Sequence, residues 1–355
     1  MEKKKIIIFA ILAVLVVALG IGVAALISGK DEIVIKPSDT EVKVEEEATK
    51  KESNIKIFSS SDDRPIDYMI DNNKNAQPQS SINKAFVVYE IIVEGNETRL
   101  MAIFKDLEEA TVGPIRSARH YFLDYAAEYD AIYTHLGLSP KAGDDMSSYG
   151  TNNINGQIYD TGAPRNAASM FWRDKSRKAP HNAYTSIETI RHVAETLGYK
   201  NTTTKGTPLN YVETEVTLDV EGALEATDVV IPYGGGHKVN YKYDEETGRY
   251  TRYSKGRLQT DKETGENATT KNLIITFAKN YNLPDTEDKG RQDVVTTGSL
   301  DGYYITNGKA IKIKCVKETR QSQTVYQDLN GNEIEINDGN TWINICPIDA
   351  DVTLN

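Results

Sequence analysis

Three lysines, Lys3, Lys4 and Lys5, precede an uncharged apolar run over residues 6–27, after which the chain turns abruptly polar. At about 1.5 Å per residue, such a run spans the roughly 30 Å of a hydrocarbon layer, so residues 1–28 are expected to form a single membrane-anchoring helix. A cleaved signal peptide has a shorter apolar stretch of about 7–15 residues, and Ala24 and Ala25 leave that alternative open. Lysines ahead of the span keep the N-terminus cytoplasmic and put everything beyond residue 28 on the outer side. No cysteine closes the span to carry a lipid. Residues 29–56 are rich in Lys, Glu, Ser and Thr and hold no aromatic residue, so they cannot bury enough surface to fold and read as a tether.

Beyond residue 57 the pattern becomes that of packed elements. RPIDYMIDNN and KAFVVYEIIVE are apolar runs of strand length, rich in Val, Ile and Tyr. Residues 85–94, the pair Gly95-Asn96 and residues 97–104 read as a β-hairpin closed by a two-residue turn. That register pairs Glu94 with Glu97, Ile92 with Arg99 and Glu90 with Met101. Period-two alternation then places Glu90, Glu94 and Arg99 on one face. GPIRSAR leads into a helix with Ser117 as its N-cap, the strand AIYTHLG follows, and residues 144–162 look like an exposed loop. A second helix over residues 187–197 is capped by Thr185 and Glu188 and stopped by Gly198. After Gly206 helical periodicity ends, and short strands alternate with turn signals such as Asn307-Gly308 and Asn330-Gly331. The expected fold is α+β: a mixed α/β domain over residues 57–205, followed by a β-rich domain over residues 206–355.

Composition narrows the partners. The 355 residues carry a net charge of −11 with lysines gathered at the membrane end, which argues against nucleic acid as a general partner and confines any anion site to a local basic pocket. The two cysteines, Cys315 and Cys346, lie in strand-like runs. An oxidising exterior permits a bridge between them, and two apolar residues of adjacent strands is the equal alternative. No cofactor or metal motif is present, so neither is expected.

The candidate chemistry lies where charges interrupt apolar runs, because buried charges are paired or employed. Glu90 and Glu94 are the candidate catalytic carboxylates. On a regular strand they stand about 13 Å apart, beyond the roughly 5–9.5 Å of glycosidase pairs, so a salt-bridge face centred on Arg99 is the competing reading. Arg116 and Arg119 crowd the predicted helix start, where cations are disfavoured; either they hold an anion through their guanidinium forks or they lock the helix to the hairpin glutamates. His135, at the C-terminal end of its strand, and His181 in APHNAY are further candidates for binding or acid–base work. GGGHK at residues 234–238 lacks P-loop spacing and reads as a hairpin loop or bulge.

The segments RPIDYMIDN, VVYEIIVEGNETRLMAIF, VGPIRSARHYFLDYAAEYDAIYTHLGLSP and APHNAY resemble the YerB-like family of Gram-positive envelope proteins, which are described as lipoproteins. YDEETGRYTRY, TTGSLDGYYITNGKAIKI and GNTWINICP resemble that family's second domain, so the likeness covers about residues 57–350. It implies a membrane-attached, extracytoplasmic protein of two domains and supplies no reaction. The missing lipidated cysteine departs from that pattern, and Cys315 stands where relatives tend to carry a tryptophan.

The leading expectation is therefore a membrane-tethered cell-envelope protein that binds an anionic or carbohydrate ligand of the cell wall through Arg99, Arg116, Arg119, His135 and His181. The alternatives are a wall-glycan hydrolase or lyase using Glu90 or Glu94, and a structural scaffold in a membrane complex.

Overall fold

The strands around the GPIRSAR block are buried on both faces, and this follows from where they sit. The computed structural model describes residues 61–159, 170–284 and 289–355. The expected anchor and tether lie outside these residues. Among the described residues no helix is long and apolar enough to cross a membrane.

Twelve principal strands organise the chain: β1 (Ile66–Asp71), β2 (Val87–Ile92), β3 (Thr98–Phe104), β4 (Ile132–His135), β5 (Asn153–Asn155), β6 (Asp228–Gly234), β7 (His237–Asp244), β8 (Arg249–Ser254), β9 (Asn272–Ala278), β10 (Gly298–Thr306), β11 (Lys309–Lys317) and β12 (Thr341–Pro347). Three helices matter here: α1 (His120–Ala126), α2 (Pro140–Tyr149) and α3 (Ile187–Thr196).

Among the described residues the main sheet has eleven strands, running from Leu224–Glu225 through β11, β10, β9, β12, β2, β3, β1 and β4 to β5, with Val325–Gln327 added beside β11. One parallel contact joins the halves: β12, near the end of the chain, pairs with β2 from Val87↔Thr341 to Ile91↔Ile345. β12 also pairs in parallel with β9. The main sheet is thus continuous across residue 205. β1, β2 and β3 consequently have neighbours on both edges and layers on both faces, and every residue in them is buried, which is why they read as near-continuous apolar runs. β6, β7 and β8 form a second sheet in which buried positions alternate with more exposed ones, as in a sheet covered on one face. Their tyrosines Tyr233, Tyr241 and Tyr250 are buried on the inner face.

Several local expectations are corrected. The β2–β3 connection is a short 3-10 turn at Glu94–Asn96, not a two-residue turn. The register is Ile92↔Thr98, Ile91↔Arg99 and Glu90↔Leu100. A slip of one residue sends a side chain to the other face, so Glu90 and Arg99 lie on opposite sides of the sheet. α1 begins at His120 with extended Arg119 as its N-cap, and the Ser117 hydroxyl donates instead to the Leu136 carbonyl at 2.9 Å. Residues 144–149 belong to α2, not a loop; Ser139 caps that helix and Pro140 opens it. Residues 153–155 form the edge strand β5. α3 is capped by Ser186, whose hydroxyl accepts from the Thr189 N–H, one residue after the expected cap.

The turn readings fare better. Asn307-Gly308 joins β10 to β11 as a two-residue turn, with both residues at positive φ as a type I′ turn requires. Gly235-Gly236 closes the β6–β7 hairpin. A Cβ on Gly235 would come within 2.5 Å of the Asn96 side chain, so this hairpin tip rests against the β2–β3 turn. Cys315 and Cys346 are both free and buried. The intervening strands β9 and β10 separate their strands, and their register places them on opposite faces, which rules out a bridge. Burial pushes both thiols up to about 12.

Candidate functional site

Glu90, although it interrupts an apolar strand, faces the second sheet and is sealed there. Its Oε2 accepts from Arg252 Nη2 at 2.5 Å, and its Oε1 accepts from Thr98 Oγ1 at 2.7 Å and Asn72 Nδ2 at 3.0 Å. Neither Glu90 nor Arg252 has more than 1% of its side chain exposed. The Arg252 guanidinium sits 4.5 Å from the Trp342 ring centroid and donates to Tyr241 Oη at 3.2 Å. Burial alone would raise the Glu90 pKa, but the charge of Arg252 and the bonds from His237 and Thr98 outweigh it and hold the carboxyl at about 2. Glu90 is a permanently ionised member of a lock between the two halves of the chain. Glu128 also pairs across the halves, with Lys317 at 2.6 Å and again fully buried, and buried Asp124 pairs with partly exposed Arg320 at 2.9 Å; in these two, burial outweighs the cation and holds the carboxyl above its ordinary value.

On the opposite side of the sheet the structure gathers five of the seven residues singled out in the sequence. Glu94, Arg99, Arg116, Arg119 and His181 line one cavity of about 170 Å³, together with Asp71, Glu97 and Thr98. They arrive from several elements: Asp71 ends β1, Arg99, the second residue of β3, lies directly opposite it, and Glu94 lies in the β2–β3 turn. Arg116 and Arg119 come from the extended segment before α1, where Arg116 N–H donates to the Met69 carbonyl at 2.8 Å. His181 comes from the segment just ahead of the strand Ala183–Ser186. A second cavity of about 380 Å³ shares Glu94 and Arg119 with the first.

The charges are unequally matched. Arg119 grips Glu94 in a two-pronged pair, Nε to Oε1 at 2.6 Å and Nη2 to Oε2 at 2.8 Å. Burial pushes the Glu94 carboxyl up, yet the Arg119 fork and the Arg99 charge prevail and hold it below its ordinary value. Asp71 Oδ2 lies 3.3 Å from Arg116 Nε and accepts a 2.7 Å bond from His181 Nδ1. Glu97 is met from the second half of the chain by Lys255 at 2.5 Å. With Glu97 so neutralised, three guanidiniums face two carboxylates, Asp71 and Glu94.

Arg99 is the cation left over. It is 5% exposed, its Nη1 donates to the Ser117 carbonyl, and among the described residues no carboxylate pairs with it. Burial, followed by the charges of Arg119 and Arg116, pulls its pKa down to about 10. A buried guanidinium normally has a counter-charge, and here its free edge lines the cavity instead.

The other two sequence candidates lie elsewhere. His135 is fully buried with both ring nitrogens engaged, Nδ1 with the Gly137 carbonyl at 2.8 Å and Nε2 with Asn153 Oδ1 at 3.2 Å. It holds the β4–β5 edge and does not line the arginine cavity. Glu90 and Glu94, on opposite sides of the sheet, form no carboxylate pair. Asp71, the acidic end of the apolar strand IDYMID beside the charged hairpin, also lines the cavity although it is not one of these seven candidates. Among the described residues no cluster of three or more His, Cys, Asp or Glu side chains could hold a metal ion.

Comparison with known proteins agrees with this two-part organisation. Residues 54–200 match the N-terminal domain of the protein family of unknown function DUF3048, and residues 229–343 match its C-terminal domain. A Bacillus subtilis (strain 168) protein named "Putative lipoprotein YerB" is 34% identical over 295 residues, covering 80% of this chain and 81% of the relative. The crystal structure of the YerB protein from Bacillus subtilis superposes with a TM-score of 0.71 at 32% identity, covering 82% of this chain and 94% of that one. The chain therefore belongs to the DUF3048 family and carries both of its domains.

Proposed function

We propose that this protein is a membrane-attached component of the cell envelope whose arginine cavity binds an anionic group, phosphate or carboxylate, of a wall polymer or small wall-derived ligand. The observation that carries the reading is Arg99: a guanidinium 5% exposed, without a carboxylate partner among the described residues, on the wall of a cavity that already holds Arg116 and Arg119. Guanidinium forks match the paired oxygens of phosphate and carboxylate, and an arriving anion would supply the missing counter-charge. The envelope location rests on the long apolar run at residues 6–27 and on the lipoprotein name of the Bacillus relative.

The test is calorimetric titration of the full-length protein in detergent with inorganic phosphate, acetate and purified wall fragments. Binding should appear in the wild type and fall at least tenfold in Arg99→Gln and in Arg116→Ala/Arg119→Ala. Binding unchanged in both folded variants, or absent from the wild type, would overturn the reading. The scaffold alternative is favoured by the three ion pairs that bind the halves together, two of them fully buried, and it requires that none of these ligands bind.

A further inference from the structure

One part of the cavity goes beyond what an anion-binding pocket needs. His181 Nδ1 lies 2.7 Å from Asp71 Oδ2. A carboxylate can only accept, so Nδ1 carries the proton. In the neutral ring Nε2 then keeps the lone pair, and among the described residues Nε2 makes no hydrogen bond. The side chain is 18% exposed and lines the same cavity as Arg99. A histidine oriented through Nδ1 by a carboxylate, with Nε2 open to a cavity, is the arrangement of a general base. Arg116 Nε lies 3.3 Å from the same Asp71 oxygen, so the carboxylate is held between the guanidinium and the imidazole.

We propose that His181, positioned by Asp71, is the general base for hydrolysis of an anionic phosphodiester held by Arg99. This rests on the anion-binding reading above. The choice of electrophile follows from charge: an unpaired guanidinium draws an ester that is itself anionic, which a carboxylic ester is not. A cavity of about 170 Å³ admits one phosphoryl group and a water molecule of about 30 Å³. In the step, Nε2 takes a proton from water as the water oxygen bonds to phosphorus. The bond from phosphorus to the leaving oxygen breaks, its electron pair departs on that oxygen, and the protonated Nε2 returns the proton to it. The products are a phosphomonoester and an alcohol, with no change of oxidation state. Arg99 faces the charge that grows on the non-bridging oxygens.

The experiment follows p-nitrophenolate release from bis(p-nitrophenyl) phosphate by the full-length protein in detergent, alongside calorimetric binding of inorganic phosphate. Turnover is expected in the wild type, with a loss of at least about 100-fold in His181→Gln while phosphate binding stays within a few-fold. Partial restoration of His181→Gly by added imidazole separates a lost base from a lost fold and is the expected result. A wild type that binds phosphate but releases no nitrophenolate, or a His181→Gln variant with undiminished turnover, would overturn the catalytic role and leave the binding reading intact. A wild type that binds no phosphate would overturn both.

Discussion

Replacing Arg252 with methionine should expose how much the Glu90 lock contributes. The substitution keeps an apolar stem against Trp342 and removes the guanidinium that Glu90 faces at 2.5 Å. A carboxyl that moves from an ordinary 4.5 to about 2 on folding adds about 3 kcal/mol at neutral pH, at about 1.4 kcal/mol per pH unit. Because the folded value is the lower one, that stability is complete above about 4.5 and is lost as the pH falls towards about 2. Losing the partner also strands a buried carboxylate, and breaking one side of a buried pair costs about 3–5 kcal/mol. Urea unfolding at neutral pH should therefore show Arg252→Met destabilised by about 3–5 kcal/mol. Repeating the titration near pH 3 should shrink the difference, since the wild type then loses part of its own contribution. Glu90→Leu combined with Arg252→Met should cost less than Arg252→Met alone, because neither charge is left unpaired. A cost below about 1 kcal/mol for the single variant, or a double variant worse than the single, would refute the reasoning.

Two further outcomes are expected. Gly302→Ala should lower stability by about 1–3 kcal/mol, because the added Cβ meets the Ile275 carbonyl and lies 3.1 Å from Cys315 Sγ inside the main sheet; an unchanged urea midpoint would contradict the packing. Cys315 and Cys346, buried and with their thiols pushed up to about 12, should resist a thiol reagent in the native protein and both react in denaturant; a thiol that labels rapidly in native conditions would contradict their burial.

Much of the fold was legible from local pattern. The β-rich second half, the Asn307-Gly308 turn and the α3 helix were all readable, because turn chemistry and amphipathic spacing act over a few residues. Ile187, Ile190, Val193 and Ala194, the buried stripe of α3, recur at helical spacing and face the core. The candidate site was legible as an address. Charges set within strands buried on both faces had to be paired or employed, and Arg99, Arg116, Arg119, Glu94 and His181 do converge. Their distribution was not legible, because the hairpin register depended on one extra residue in the Glu94–Asn96 turn. That residue sends Glu90 to one side of the sheet and Arg99 to the other. Its position is shared with the Gly235-Gly236 tip, which packs against Asn96 from about 140 residues away in sequence.

By itself, then, the sequence determined the long apolar run over residues 6–27, the class of the folded region and the stretch in which charge is concentrated, since hydrophobic periodicity and composition are local properties. Only the tertiary structure decided which charges are locks and which are left open. Arg252, Lys317 and Arg320 come from the second half of the chain to neutralise Glu90, Glu128 and Asp124. The parallel pairing of β12 with β2 joins the two halves into one sheet. A counter-charge arriving from more than 150 residues away leaves no mark on the spacing around its partner, and that Arg99 lacks one among the described residues could be seen only once their carboxylates had been given their places.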